Sequence, residues 1–203
     1  VARGVDDVLM FTLGTGVGGG IVAGGRPLLG AVGFAGEVGH VEVDPAGRPC
    51  TCGLIGCLEA YTSATSIARM YAERRDTHDG EPWSASQVAH AAREGDVAAQ
   101  EVVAHAADRL GRVAAALVTV LDPGVIVLGG GAGPALAPLM APVVVEQLRA
   151  HAFGVRHRRL PDVRAAALGD DAGIVGAGLI AAHEAARMSA PSRPTDQQGP
   201  LRP

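Results

Sequence analysis

All three cysteines of this 203-residue chain lie within eight positions, in the segment Cys50–Glu59 with the sequence CTCGLIGCLE. Disulfide bonds explain them poorly, because three is an odd number and Cys50 and Cys52 are too close to pair readily. A secreted domain held together by disulfides also has its cysteines spread along the chain. The alternative is three reduced cysteines in a core, but the surrounding glycine- and proline-rich loop has little apolar mass to form one. Three neighbouring thiolates therefore predict a site for a soft metal ion.

A histidine completes a set of four ligands for such a metal. His40 stands ten residues before Cys50, and the pattern His40-x9-Cys50-x-Cys52-x4-Cys57 supplies one imidazole and three thiolates. This is a closed tetrahedral set for structural Zn²⁺. The remaining histidines have no comparable neighbours and are predicted to be surface or packing residues: His78, His90, His105, His151, His157 and His183.

Two acidic residues flank the predicted metal ligands. Glu37 lies three residues before His40, and Glu59 lies two residues after Cys57. Such carboxylates are often solvated surface groups. A rigid metal loop that holds two carboxylates and an imidazole at one place would also suit a polyhydroxy ligand, because carboxylates accept hydrogen bonds from neighbouring hydroxyls. The spacing alone leaves both possibilities open.

Two glycine-rich segments are candidates for contact with phosphate or a flat ligand. The first, LGTGVGGG (Leu13–Gly20), formally matches the dinucleotide-binding pattern, but its glycines lead into another strand rather than a helix. A glycine hairpin can instead cradle phosphate through backbone N–H groups, with the Thr15 hydroxyl as a further donor; a tight turn that needs positive φ is the alternative. The second, LGGGAG (residues 128–133), either admits a flat ligand or brings two elements close together.

Composition excludes several classes of function. All 17 basic residues are arginine and the chain has no lysine, which excludes a Walker-type phosphate loop, a pyridoxal Schiff base and a lysine general base. A net charge of −4 and a pI near 6.0 give no reason to expect nucleic acid as a partner. The uncharged segment Gly124–Val145 contains too many glycines and prolines for a membrane helix. No signal peptide opens the sequence, so we expect a cytoplasmic protein without a membrane partner.

The hydrophobic pattern predicts a mixed α/β fold. Three strands are expected first, in Val8–Gly14, in residues 19–30 with a turn at Gly24–Gly25, and in His40–Pro45. Helices and strands then follow in the order Ser63–Asp76, Ser84–Glu94, a long helix from Asp96 to Leu121, a strand at Val125–Gly131, a helix at Ala137–His151, a strand at Asp162–Leu168, and a last helix from Asp170 or Asp171 to Arg187. Three antiparallel strands followed by strand–helix units describe a mixed sheet covered by helices, the order found in halves of actin-like ATPases.

Three segments carry a resemblance to a known family: LGTGVGGGIVAGGRPLLG, GEVGHVEVDPAGRPCTCGLIGCLE and DPGVIVLGGG. Together they resemble the ROK family of repressors, uncharacterised reading frames and sugar kinases, most closely its bacterial glucokinases, over residues 8 to about 187. The resemblance implies an actin-like (ribonuclease H-like) fold in two lobes, with ATP and sugar in the cleft between them. It implies three groups of site residues: Gly14, Thr15 and Gly16 at the ATP phosphates with Gly130 and Gly131 beside the nucleoside; Glu37, His40 and Glu59 at the sugar hydroxyls; and His40, Cys50, Cys52 and Cys57 on a structural zinc ion.

One departure from the family is large. The first lobe of such kinases carries an Asp-x-Gly-x-Thr turn and an Asn-Asp pair whose aspartate is the general base, yet this chain has no asparagine. Asp6 and Asp7 fall where the family has a linker. We therefore expect residues 1–187 to be the C-terminal lobe, with a zinc loop at 40–59, a disordered tail at 188–203, no catalytic residue of its own and no activity alone.

The expected activity of the whole enzyme is phosphorylation of a hexose, glucose first, at its 6-hydroxyl by Mg²⁺-ATP. An N-acetylmannosamine kinase, an N-acetylglucosamine kinase and a sugar-responsive repressor remain alternatives. The family commonly dimerises through this lobe, so a homodimer is expected.

Overall fold

The structure, a computed structural model, describes residues 1–76 and 82–189. The chain divides into two compact units, Val1–Gly169 and a second that starts at Asp170. The first unit contains all the candidate site residues. In the described ranges, no helix has the length and apolar character that crossing a bilayer requires.

Five strands of the described residues form one sheet in the order β3-β2-β1-β4-β5. They are β1 (Val8–Leu13), β2 (Val17–Ala23), β3 (Arg26–Pro27), β4 (Val125–Gly129) and β5 (Asp162–Ala165). β1 is antiparallel to β2, and β2 to β3, whereas β1, β4 and β5 run parallel. Every residue of β4 is buried, as is usual for a central parallel strand. In β1, burial alternates and places Leu9, Phe11 and Leu13 in the core.

The described ranges contain six α-helices: α1 (Glu59–Thr62), α2 (Ala64–Arg75), α3 (Ala85–Arg93), α4 (Val97–Leu121), α5 (Gly133–His151) and α6 (Ala172–Ser189). Three of them begin at a side chain that accepts a hydrogen bond from a backbone N–H of the first turn, namely Ser63, Ser84 and Asp96. Such caps satisfy the donors that a helix start leaves open. Long α4 ends at Leu121, because the next residue, Asp122, has a left-handed backbone.

The core lies where α4 and α5 pack against each other and against the sheet. It is built from small and branched side chains, including fully buried Leu110, Leu136 and Val144. Gly111 makes this close packing possible, because a Cβ there would lie 2.6 Å from the Cβ of Gln147. Any larger residue at 111 would push the two helices apart.

The expected fold class is confirmed, but one of the predicted strands is wrong. Residues 38–40 form a 3₁₀-helix, and the segment after it pairs with the cysteine loop rather than with the sheet. The N–H of Val43 donates to the Gly56 carbonyl at 2.7 Å, and Glu42 forms an isolated bridge with Cys57. The third antiparallel strand is instead Arg26–Pro27, within the segment predicted as the second strand and its return.

Other element boundaries shift by a few residues. Helix α5 starts at Gly133 rather than Ala137, and the short helix α1 was not predicted. Helix α6 extends to Ser189, and the rest of the predicted tail lies outside the described residues, as does His78. The assignment of this chain to a C-terminal lobe stays a prediction.

Candidate functional site

The turn between β1 and β2 is a tight glycine hairpin. The Gly14 N–H donates to the Gly16 carbonyl at 3.0 Å, and the Ala64 N–H at the start of α2 donates to the Gly14 carbonyl at 2.8 Å. Neither Gly14 nor Gly16 has a positive φ, so left-handed backbone does not explain these glycines. Apart from its chain neighbours Leu13 and Thr15, none of the described residues lies within 4 Å of a Cβ built at Gly14. This face of the hairpin is open to a ligand, and the side chain of Thr15 is exposed.

Close neighbours in the first unit explain two glycines of β2 and one glycine of the hairpin. A Cβ at Gly18 would lie 2.7 Å from Oγ1 of Thr12, and one at Gly19 would lie 2.4 Å from the Gly36 carbonyl. A Cβ at Gly16 would lie 2.4 Å from Oε2 of Glu59. The glycine run therefore serves packing of neighbouring segments as well as an open hairpin.

The second glycine segment follows β4. Gly130 has a φ of 80°, and a Cβ there would lie 2.6 Å from the Leu13 backbone nitrogen. Both facts account for glycine at this position. Around Gly131, by contrast, the described residues leave a Cβ free space to 4 Å, which leaves that position accessible to a ligand.

The four predicted metal ligands come together. Their ligand atoms, from His40, Cys50, Cys52 and Cys57, all lie within 4.8 Å of one another. Sγ of Cys52 lies 3.7 Å from Sγ of Cys57, and Sγ of Cys50 lies 3.8 Å from Nδ1 of His40. Ligands of a tetrahedral Zn²⁺ at roughly 2.0–2.3 Å are about 3.5–3.8 Å apart, so the donor set and these two distances fit the ion.

Burial and hydrogen bonding shift the pKa values of two of these thiols in opposite directions. Desolvation and the neighbouring thiols raise the pKa of Cys57 to about 12, whereas a hydrogen bond from the Leu54 backbone lowers the pKa of exposed Cys52. A metal ion binds the thiolate, so binding must release the Cys57 proton. The donor set therefore favours a cation with strong affinity for sulfur.

His40 stands between the cysteines and the acidic residues. Its Nδ1 faces Cys50, while its Nε2 lies 3.9 Å from a carboxylate oxygen of Glu37. The Glu37 side chain is 58% exposed. Nδ1 is thus available to a metal ion, and Nε2 lies toward the Glu37 carboxylate.

Glu59 is held more firmly than Glu37. Its Oε2 accepts from the Val17 N–H at 2.9 Å, and its Oε1 accepts from the Thr51 hydroxyl at 3.0 Å. Burial alone would raise the pKa of Glu59, but the hydrogen bonds from Val17, Thr51 and Cys50, with the nearby His40, hold that pKa below its usual value. The carboxylate is therefore ionised near neutral pH.

A further set of contacts anchors the cysteine loop to the body of the unit. The Tyr61 hydroxyl accepts from the Arg48 N–H at 2.8 Å and donates to Asp44 at 3.2 Å. Arg109 of α4 donates to the Val43 carbonyl at 3.0 Å, and its guanidinium lies over the Tyr61 ring. These contacts hold the loop against α1 and α4, and the sequence spacing did not predict them.

One open cavity of about 400 Å³, here named the cleft, is lined both by the glycine hairpin and by the acidic residues and imidazole described above. Its lining consists of Thr12, Gly14, Gly16, Val17, Gly18, Glu37, His40, Glu59 and Gly130. Thr15 lines a neighbouring cavity of about 250 Å³ instead, together with Thr51 and the start of α2. Thr12 was missed by sequence reasoning, although the burial of Leu9, Phe11 and Leu13 places it on the other face of β1.

The ROK family model matches residues 1–184 of the chain. The chain belongs to the ROK family. It is 42% identical to a glucokinase of Halalkalibacterium halodurans over 188 residues, which are 87% of this chain and 56% of that protein. It is 36% identical to an N-acetylmannosamine kinase of Escherichia coli over 180 residues, 89% of this chain and 58% of that protein.

A solved structure of a ROK family glucokinase from Streptomyces griseus, in complex with glucose and AMPPNP, superposes with a TM-score of 0.79 at 33% identity. The match covers 89% of this chain and 62% of that one. It supports the actin-like fold inferred from the element order. The ROK family chain described here therefore spans less than two thirds of the length of each of these relatives.

Proposed function

We propose that this chain is the sugar- and metal-binding lobe of an ATP-dependent kinase that phosphorylates glucose on its 6-hydroxyl. The observation that carries the proposal is the cleft, in which two carboxylates and an imidazole face a glycine hairpin with an open side. The 42% identity to a glucokinase favours glucose among the hexoses. A zinc ion on His40 and the three cysteines would fix the loop and, with four protein ligands, leave no position for a reactive water.

The sugar would be held by acceptors and one donor. A carboxylate oxygen has about two acceptor positions, and Oε2 of Glu59 uses one of them for the Val17 N–H. The other is available to a sugar hydroxyl. Glu37 supplies a second, more exposed carboxylate, and Nε2 of His40 supplies an N–H when Nδ1 binds the metal. This pattern of donors and acceptors matches vicinal hydroxyls.

The nucleotide phosphates would contact only part of the hairpin. The Gly14 N–H donates to Gly16, and the Val17 N–H donates to Glu59. The phosphate donors that we assign are therefore the N–H groups of Thr15 and Gly16 and the Thr15 hydroxyl. Magnesium bound to ATP would offset phosphate charge during in-line transfer.

The proton of the sugar hydroxyl needs an acceptor that we do not assign to this chain. Asp6 and Asp7 precede β1, whereas the hairpin follows it, and a six-residue strand spans about 20 Å. Asp7 also accepts a hydrogen bond from the Gly24 N–H at the same end of the sheet. Both aspartates are therefore too far from the hairpin to be the base, which we place in a first lobe with the family's Asn-Asp pair.

A coupled assay tests this proposal. The complete enzyme should phosphorylate glucose with Mg²⁺-ATP, and residues 1–203 alone should show no turnover, because general-base catalysis contributes about 10²–10⁴-fold. Turnover by residues 1–203 would contradict the assignment of the base. N-acetylmannosamine and N-acetylglucosamine are the comparison substrates, and the 36% identity to an N-acetylmannosamine kinase makes that sugar the second candidate.

Two further parts of the proposal have separate tests. An upstream helix-turn-helix would identify a sugar-responsive repressor, whereas an upstream Asp-x-Gly-x-Thr turn with the Asn-Asp pair would identify a kinase. Sedimentation of the complete protein at several concentrations tests the homodimer, which a concentration-independent monomer would refute.

A further inference from the structure

One carboxylate, that of Glu59, contacts both the glycine hairpin and the cysteine loop. Oε2 of Glu59 accepts from the backbone of Val17, the first residue after the glycine hairpin, and Oε1 accepts from Thr51, which lies between two of the cysteines. The residues in contact are 42 and 8 positions away from Glu59 in the chain. The side chain of Glu59 thus links the glycine hairpin directly to the cysteine loop.

The backbone of Glu59 gives this link little freedom to move. Its carbonyl accepts from the Ser63 N–H and from the Ser66 hydroxyl at 3.0 Å, and the preceding Leu58 is fully buried. With the backbone fixed, the position of the carboxylate depends on its two partners. A shift of either partner is therefore passed to the other.

Thr51 is the partner that sets the carboxylate direction on the loop side. Sγ of Cys50 also lies 3.5 Å from Oε1 of Glu59. This sulfur contact is longer than the 3.0 Å bond from the Thr51 hydroxyl. The Thr51 hydroxyl is therefore the closer donor to Oε1 on that side.

We propose that Glu59, in addition to contacting the sugar, couples sugar binding to nucleotide binding, and that Thr51 is the positioning residue whose hydroxyl sets the orientation of Glu59. The inference rests on the proposed function. A sugar that contacts Oε2 restrains the carboxylate, which restrains the Val17 N–H and with it the hairpin that holds the phosphates. The coupling is reciprocal, so nucleotide raises sugar affinity by the same factor.

Calorimetry on the complete, zinc-loaded enzyme tests the coupling. The dissociation constant of Mg²⁺-AMPPNP is measured without glucose and with saturating glucose. For the unchanged enzyme we expect glucose to tighten nucleotide binding by about fivefold or more. Thr51→Val should reduce this ratio to near one, whereas Thr51→Ser, which keeps the hydroxyl, should restore it. Glu59→Gln should also lower the ratio.

Glu37→Gln is the matched control. It changes the other carboxylate of the cleft, which the structure places against His40 rather than against the hairpin. It should weaken glucose binding but keep the coupling ratio once glucose is saturating. Thr51 is exposed, so Thr51→Val should fold, and its zinc content and melting temperature are measured alongside.

The outcomes separate the inference from the proposed function. If the enzyme binds glucose and nucleotide but shows no coupling, or if Thr51→Val keeps the full ratio, the inference is wrong and the proposed function stands. Loss of coupling together with loss of zinc would assign the effect to the metal loop and overturn the role of Thr51. If the enzyme binds neither ligand, both proposals fail.

Discussion

Replacing Gly16 with alanine places a methyl group where the Glu59 carboxylate now lies. The added Cβ would be 2.4 Å from Oε2 and 3.3 Å from Cδ of Glu59, too close for either atom to stay in place. Because the obstacle is the end of a flexible side chain, the carboxylate should withdraw and the hairpin backbone should stay. The hydrogen bond from the Val17 N–H, 2.9 Å long, is then lost.

The magnitude follows from that bond. A hydrogen bond to a charged acceptor contributes about 1.5–3 kcal/mol to the free energy of unfolding. Alanine restores roughly 0.4–1 kcal/mol by restricting the unfolded chain. Gly16→Ala should therefore destabilise the protein by about 1–2 kcal/mol. Urea unfolding measures this change, and the m-value, which is the dependence of the free energy of unfolding on urea concentration, should stay the same.

Gly14→Ala is the matched control, two residues away in the same hairpin. The described residues leave its Cβ free space to 4 Å, and its φ is not positive, so its stability should be unchanged or slightly higher. A double-mutant cycle gives the decisive measurement: in a Glu59→Ala background, Gly16→Ala should cost almost nothing. Equal destabilisation by Gly16→Ala in both backgrounds, or equal effects of the two alanines, would refute the proposed contact.

Three further changes test other parts of the site and the fold. Thr15→Val should raise the KM for ATP of the complete enzyme without changing its melting temperature, since the side chain is exposed; a stability loss above about 1–2 kcal/mol would make Thr15 structural. Cys57→Ser should lose the metal, as measured by elemental analysis, and should bind glucose more weakly. Its affinity for nucleotide in the absence of sugar should be nearly unchanged. Glucose affinity that survives zinc removal would contradict this prediction. Hydrogen bonds, first from the Ala99 N–H and then from the Tyr71 hydroxyl, lower the pKa of Asp96 in the folded protein. The ionised Asp96 therefore stabilises the fold at pH values above the usual aspartate pKa, and this stabilisation is lost as the pH falls through the lowered pKa. Asp96→Asn should therefore flatten the acid side of the stability–pH curve, and an identical acid limb in both proteins would count against it.

The metal ligands were predictable because they are close in sequence. His40 and Cys57 are only 17 positions apart, and Cys50 and Cys52 lie between them. A single short loop can therefore bring all four ligand atoms to one metal ion. The strand predicted at His40–Pro45 was wrong because residues 38–40 form a 3₁₀-helix and the residues after it pair with the cysteine loop, as the bond from the Val43 N–H to the Gly56 carbonyl shows. Alternation identifies an extended segment but not its partner.

The contact between Glu59 and Val17 could not be predicted. It joins residues 42 positions apart, and nothing in either local sequence specifies the other. The hairpin glycines have a similar explanation, since sequence reasoning offered phosphate binding or positive φ. The structure shows neither Gly14 nor Gly16 with a positive φ and shows instead that Gly16 leaves room for a carboxylate. Close approach between distant segments depends on the completed fold.

The metal loop closes on itself at its base. The Leu58 N–H donates to the Val41 carbonyl at 2.9 Å, so the segment between them leaves and re-enters the body of the protein at one point. Three of the four metal ligands lie inside that segment, and His40 and Glu59 stand directly outside its two ends. A loop from a relative, joined at these two adjacent positions, would therefore bring different side chains to the cleft while β1, β4 and their glycines stay as they are, provided that it keeps the contacts of the present loop with Tyr61 and Arg109.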